Sequence, residues 1–161
     1  MKKKEHLPLF GVGPIYVYCI AILTLLAFIS RNLSVFEAEK LTSLKYLLII
    51  FGSLLIVSGA VMWIMAVIVS RVDDNIKKNQ LVTTGIYAWV RNPIYSACMF
   101  ACTGVILMIG NAFFFVMPLI YWLFMTILMK HTEEKWLRDL YGQKYETYCK
   151  QVNRCIPWKR S

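Results

Sequence analysis

Residues 91–93, Arg-Asn-Pro, stand directly before one apolar run, and residues 131–134, His-Thr-Glu-Glu, directly follow another. Both clusters could do chemistry. Pro93 fits the first turn of a helix, where a missing N–H costs nothing. Asn92 suits the N-cap position before it. A helix N-terminus attracts anionic groups, and Arg91 adds a fixed cation beside it, so a carboxylate could dock there. The same pattern also reads as a capped helix start anchored by an arginine. Glu133 and Glu134 are costly to bury without partners at the end of a membrane span, and taken alone they read as a solvated helix surface. Adjacent helical residues diverge by about 100°, so one Glu is expected to face a helix bundle and the other water.

The elements that must position these residues are membrane spans. The chain has 161 residues, 58% of them hydrophobic, with a mean hydropathy of +0.56. That is too apolar for a soluble domain of this size. The net charge of +9 does not make a nucleic-acid binder, because the basic residues flank apolar runs, where they set orientation. Four spans are expected, at 12–30, 44–69, 94–109 and 112–130. The second exceeds the roughly 20 residues a bilayer needs and should tilt or protrude, while the third is short. With the N-terminus inside, fifteen basic residues fall on the inner side, against Arg31, Lys40 and Lys45 outside. This bias places both termini and the 70–93 loop in the cytoplasm. Gly110–Asn111 becomes a tight outer turn.

Gly52, Gly59 and Ala66 recur every seven residues in the second span. They mark either a face for close helix approach or an accident of spacing. Pro118, inside the fourth span, is expected to kink it. Trp136, Leu137, Leu140, Tyr141, Tyr145, Tyr148, Cys149 and Val152 repeat at helical spacing. They predict one amphipathic helix over 131–156, continuing from the fourth span along the inner membrane surface and ended by Pro157. Five cysteines without a CxxC read as free thiols. Cys98 and Cys102 share a helix face but lack His or carboxylate neighbours, so no metal site is expected. The first span shows no following cleavage site, so no cleavable signal peptide is expected. The fold class is therefore all-α: one polytopic membrane domain over 1–161, with four spans and an amphipathic C-terminal helix.

Two longer motifs carry a resemblance. GIYAWVRNPIY, residues 85–95, resembles the Gly-x-Tyr…Arg-His/Asn-Pro-x-Tyr signature of the isoprenylcysteine carboxyl methyltransferase family, integral-membrane enzymes related to the phospholipid methyltransferases. EEKWLRDLYGQKYETYCKQVNRCIPW, residues 133–158, resembles that family's Glu-Glu…Phe-Gly-x-x-Tyr-x-x-Tyr…Pro ending. The two lie in the family's order, separated by one helical hairpin, and cover roughly 76–158. The resemblance implies methyl transfer from S-adenosylmethionine, bound from the cytoplasmic side. Carried over residue by residue, it implies a cofactor pocket lined by Asn79, Gln80, Leu81, Val82, Tyr87, Asn92, Pro93, Ile94 and Tyr95. Glu133 would be the C-terminal cofactor contact, with Glu134 the alternative. The chain departs from the pattern twice. Asn92 stands where the common form has His, and Met129 stands where enzymes acting on prenylcysteine carboxylates carry Arg.

Displacement at a sulfonium needs alignment and water exclusion rather than a metal. Arg91 could hold an anionic substrate group or the cofactor carboxylate. His131 or Glu134 could serve as base for an amine or thiol. The expected acceptor is lipophilic and enters from the bilayer between the third and fourth spans near Pro118. Membrane lipids are the other expected partners. Two other readings stay open: a non-catalytic scaffold or lipid-binding protein of the same fold, and a nicotinamide-dependent membrane reductase. The compact size and the lack of a eukaryotic targeting signal point to a prokaryotic cytoplasmic membrane.

Overall fold

A computed structural model describes residues 11–70 and 80–158. The bundle consists of α1 (Gly13–Ser30), α2 (Lys45–Ile64), α3 (Pro93–Ile109) and α4 (Met117–His131). Two short helices follow, α5 (Glu133–Tyr141) and α6 (Gln143–Gln151). Among the described residues there is no β-sheet, only two isolated bridges. Stretches beginning at Gly13, Thr42 and Ala112 are long and apolar enough to cross a membrane, and α3 is a shorter apolar helix. In the last stretch the apolar run ends where Lys130 and His131 begin.

Local chemistry fixes the ends. Pro93 opens α3, and Gly110, at φ 65°, closes it in the left-handed conformation that glycine adopts without penalty. Asn111 then ties the far end together. Its side chain accepts from the Phe113 N–H at 3.0 Å and donates to the Phe36 carbonyl at 2.7 Å. The Leu41 N–H reaches the Gly110 carbonyl at 2.8 Å. Past Ile64, α2 runs on as a π-helical turn, Met65–Val69.

Lipid tails are as apolar as the side chains, so packing and hydrogen bonds hold such helices together. The spacing of Gly52 and Gly59 is a packing face. A Cβ on Gly59 would lie 2.6 Å from the Ala97 carbonyl oxygen, and one on Gly104 would lie 2.5 Å from that of Gly52. Ala66 is fully buried on the same stripe. Against the other side of α3, Tyr16, Ile20 and Ala27 of α1 meet Tyr121, Met125 and Met129 of α4. Here the Thr24 and Tyr121 hydroxyls share a 2.9 Å hydrogen bond.

Two expectations are corrected. Pro118 does not kink a span. The preceding residues Ala112–Val116 form a 3-10 turn, and Pro118 falls in the first turn of α4, where no N–H is missed. The tail is not one helix continuing from α4. Thr132 leaves helical geometry at φ −123°, ψ −86°, and Gly142 breaks the tail again at φ 53°. The apolar face of α6 is covered by protein: Tyr145, Tyr148 and Val152 are buried with Leu81, Leu137 and Tyr141. The Tyr148 hydroxyl donates to the Tyr87 carbonyl at 2.6 Å.

Candidate active site

The start of α1, the end of α2, the start of α3 and the end of α4 meet at one end of the bundle. The break at Thr132 decides what the two carboxylates do there. It interrupts the helix between α4 and α5, and Glu133 and Glu134 project onto two different protein surfaces. Neither is left to solvent, which corrects the expectation of one facing water.

Glu133 faces the bundle mouth. Its Oε1 accepts the Tyr95 hydroxyl at 2.9 Å and the Val12 N–H at 3.1 Å. Burial pushes its carboxyl above the usual carboxylate range, and the Tyr95 hydroxyl and the N–H groups of Val12 and Gly13 pull it only part of the way back. The approach of α1 depends on two small residues. The Glu133 carboxyl group fills the space a Cβ on Gly11 would take, and the Tyr95 ring fills that beside Gly13. Among the described residues no cation pairs with Glu133.

Glu134 is only 1% exposed and is surrounded by guanidinium groups. Arg154 grips it with both edges of its fork, Nε to Oε1 at 2.5 Å and Nη2 to Oε2 at 2.9 Å. Arg91 Nη2 lies 3.2 Å from Oε1, and Arg138 lies at 4.0 Å. Burial opposes the charge on Glu134, but the Arg154 hydrogen bond and the nearby Arg91 outweigh it and hold the carboxyl below its usual range. Arg91 also meets the Cys149 sulfur. Its own Nε is buried and unpartnered.

The other expected site residues divide among three places. Asn92 occupies the N-cap position of α3, but its side chain makes no capping bond and instead donates to the Arg154 carbonyl at 3.1 Å. Pro93 is buried beneath it, and Tyr95 sets its ring edge-on to Tyr16 at 6.2 Å. Val82, Tyr87 and Ile94 pack with Met62 and Ala66 at the end of α2. Leu81 packs on the tail, and Gln80 is exposed. His131 is exposed at the end of α4, while Asn79 lies outside the described residues. Glu133, Tyr95 and the α3 start are thus brought together, whereas Arg91 and Glu134 are brought to each other. Sequence reasoning missed Arg154 and the Gly11–Gly13 approach. The glycines at the head of the first span were the available signal for the latter.

A family model described as phospholipid methyltransferase matches residues 42–144. Over 87 residues the chain is 39% identical to the protein-S-isoprenylcysteine O-methyltransferase of Schizosaccharomyces pombe, covering 50% of this chain and 34% of that one. It is 30% identical over 82 residues to a probable protein-S-isoprenylcysteine O-methyltransferase of Oryza sativa subsp. indica, covering 50% and 42%. It is 33% identical over 76 residues to methanethiol S-methyltransferase 1 of Bradyrhizobium diazoefficiens, covering 47% and 26%. The chain therefore spans less than half the length of each of these relatives. No solved structure matches it.

Proposed function

Because the chain belongs to the phospholipid methyltransferase family, we propose that it transfers a methyl group from S-adenosylmethionine to a lipophilic acceptor at the cytoplasmic membrane face. One observation carries the reading: Glu133 is a half-buried carboxylate at the bundle mouth with only neutral donors, and no cationic partner, among the described residues. A buried carboxylate is stable only when charge or hydrogen bonds compensate it. The cationic amino group of a sulfonium donor would supply a charged partner. Asn92, Pro93, Ile94 and Tyr95 would line the rest of the pocket, with Gln80, Leu81, Val82 and Tyr87 beyond them.

When bound, S-adenosylmethionine supplies an electrophilic methyl group on a good leaving group. The protein's part is then to hold, align and dry the reactants. The Tyr95 hydroxyl and the first turn of α1 keep the Glu133 carboxylate pointed into the mouth. The α1–α3–α4 interior behind it is packed with Tyr16, Met125 and Met129, which exclude water. Met129 stands where the prenylcysteine enzymes are expected to carry Arg, and it is wholly buried among apolar groups. No cation is available at that position to hold an acceptor carboxylate. An acceptor without a carboxylate, such as a lipophilic thiol that gives up its proton to solvent before its sulfur takes the methyl group and the donor's carbon–sulfur bond breaks, fits that place better, and the Bradyrhizobium relative is itself named for a thiol acceptor. The basic residues around this end of the bundle support its cytoplasmic placement.

The test is methyl transfer from tritiated S-adenosylmethionine by protein reconstituted in liposomes. The acceptors offered are a long-chain thiol, a farnesylated cysteine analogue and phosphatidylethanolamine. Label in the thioether product is the expected result. Label in none of the three, from protein that binds the donor, would overturn the reading.

A further inference from the structure

The 89–92 stretch that leads into α3 is stitched to the end of the chain. The Arg91 N–H donates to the Asn153 carbonyl at 2.9 Å, and the Trp158 N–H to the Trp89 carbonyl at 2.9 Å. Val90 and Asn153 form a parallel bridge. The Asn153 side chain caps the turn that follows by accepting the Cys155 N–H at 3.1 Å. Arg154 sits inside this seam and reaches both ways. Its carbonyl accepts from Asn92 at the head of α3, and its guanidinium takes both oxygens of Glu134.

Glu134 is the residue next to Glu133, and Asn92 is three residues before Tyr95. One residue therefore joins the two elements whose separation sets the 2.9 Å contact between Tyr95 and Glu133. Within the ion cluster, Arg154 is the partner with paired, parallel hydrogen bonds, a geometry that fixes direction as well as distance. Arg91 and Arg138 each offer one nitrogen at a longer distance.

We propose that Arg154 is a positioning residue for methyl transfer: it clamps Glu134 to the head of α3 and so holds Glu133 at the spacing the donor requires, a role that rests on the methyl-transfer reading above. A lysine cannot replace it, because an ammonium offers a point charge and not a planar fork. Arg91 and Glu134 belong to the same clamp.

Steady-state kinetics of Arg154→Lys and Arg154→Met, each read beside its thermal midpoint, tests the role. Both variants should raise the donor KM about tenfold, with kcat and the acceptor KM held within about twofold. Adding Glu134→Gln to Arg154→Met should raise the donor KM little further, since both act on Glu133 through the Arg154–Glu134 contact, although the thermal midpoint falls again as Arg91 loses its partner. Wild-type donor KM in both Arg154 variants would overturn the proposal. So would a proportional fall of every constant that tracks lost folded protein. Wild-type protein that turns over no donor would instead overturn the functional reading, and this role with it.

Discussion

Tyr95, in the first turn of α3, donates its hydroxyl to Glu133, the first residue of α5, at 2.9 Å. That bond joins the two motifs that lie on either side of the α3–α4 hairpin. It also sets the electrostatics of the mouth, because it is one of three contacts that counter the desolvation of Glu133.

Donor affinity should therefore depend on pH through Glu133. Its folded carboxyl is raised above the usual value of about 4.3, and only the charged form holds a cation. Affinity is full above the raised value and is lost as pH falls through it. In Tyr95→Phe the contact that lowers the value is gone, so the affinity loss should shift to higher pH. Donor binding at neutral pH should also weaken about tenfold, the worth of a hydrogen bond to a charged group. Binding titrations across pH check both.

Glu134 should behave in the opposite sense. Its folded carboxyl lies below the ordinary range, so it contributes stability above the unfolded value of about 4.3. That contribution is lost as pH falls through the folded value. Glu134→Gln should remove this acid limb from the pH profile of the thermal midpoint. At neutral pH it should cost about 3–5 kcal/mol, because Arg91 stays buried without its counter-charge.

The α2–α3 contact should reject side chains. A Cβ on Gly59 would stand only 2.6 Å from the Ala97 carbonyl, so Gly59→Val must push the helices apart. It is expected to destabilise the bundle by about 1–3 kcal/mol, read as a lowered thermal midpoint in detergent. A surface-facing control, Val57→Ala, should leave the midpoint nearly unchanged.

Gly13→Val should act on function more than on stability. The added side chain meets the Tyr95 ring and drives it off Glu133. Donor binding should fall while helical content, followed by circular dichroism, holds.

Much of this architecture is legible in the residues themselves. Pro93 and Gly110 mark the ends of α3 because each is tied to a local backbone conformation. The Gly52–Gly59 interval shows the packing face because small residues are what let backbones approach. The tail is less legible. Its three-and-four spacing is real, but Thr132 and Gly142 divide it, and the break at Thr132 is a conformation that composition does not announce. Glu133 is reachable through its motif, while its partners Val12 and Gly13 lie some 120 residues away in the chain. Arg154 is hidden for the same reason. Nothing in its neighbourhood distinguishes it from a solvated arginine until the chain end folds back onto residues 89–92.

On the methyl-transfer reading, Glu133 holds the cationic end of a sulfonium donor. Calorimetric titration of S-adenosylhomocysteine, which keeps the amino group, into the detergent-purified protein tests it most directly. Micromolar binding by the wild-type protein, abolished in Glu133→Gln with the thermal midpoint retained, is the predicted result. Equal binding by the variant, or none by folded wild-type protein in detergent and in nanodiscs, would contradict the claim.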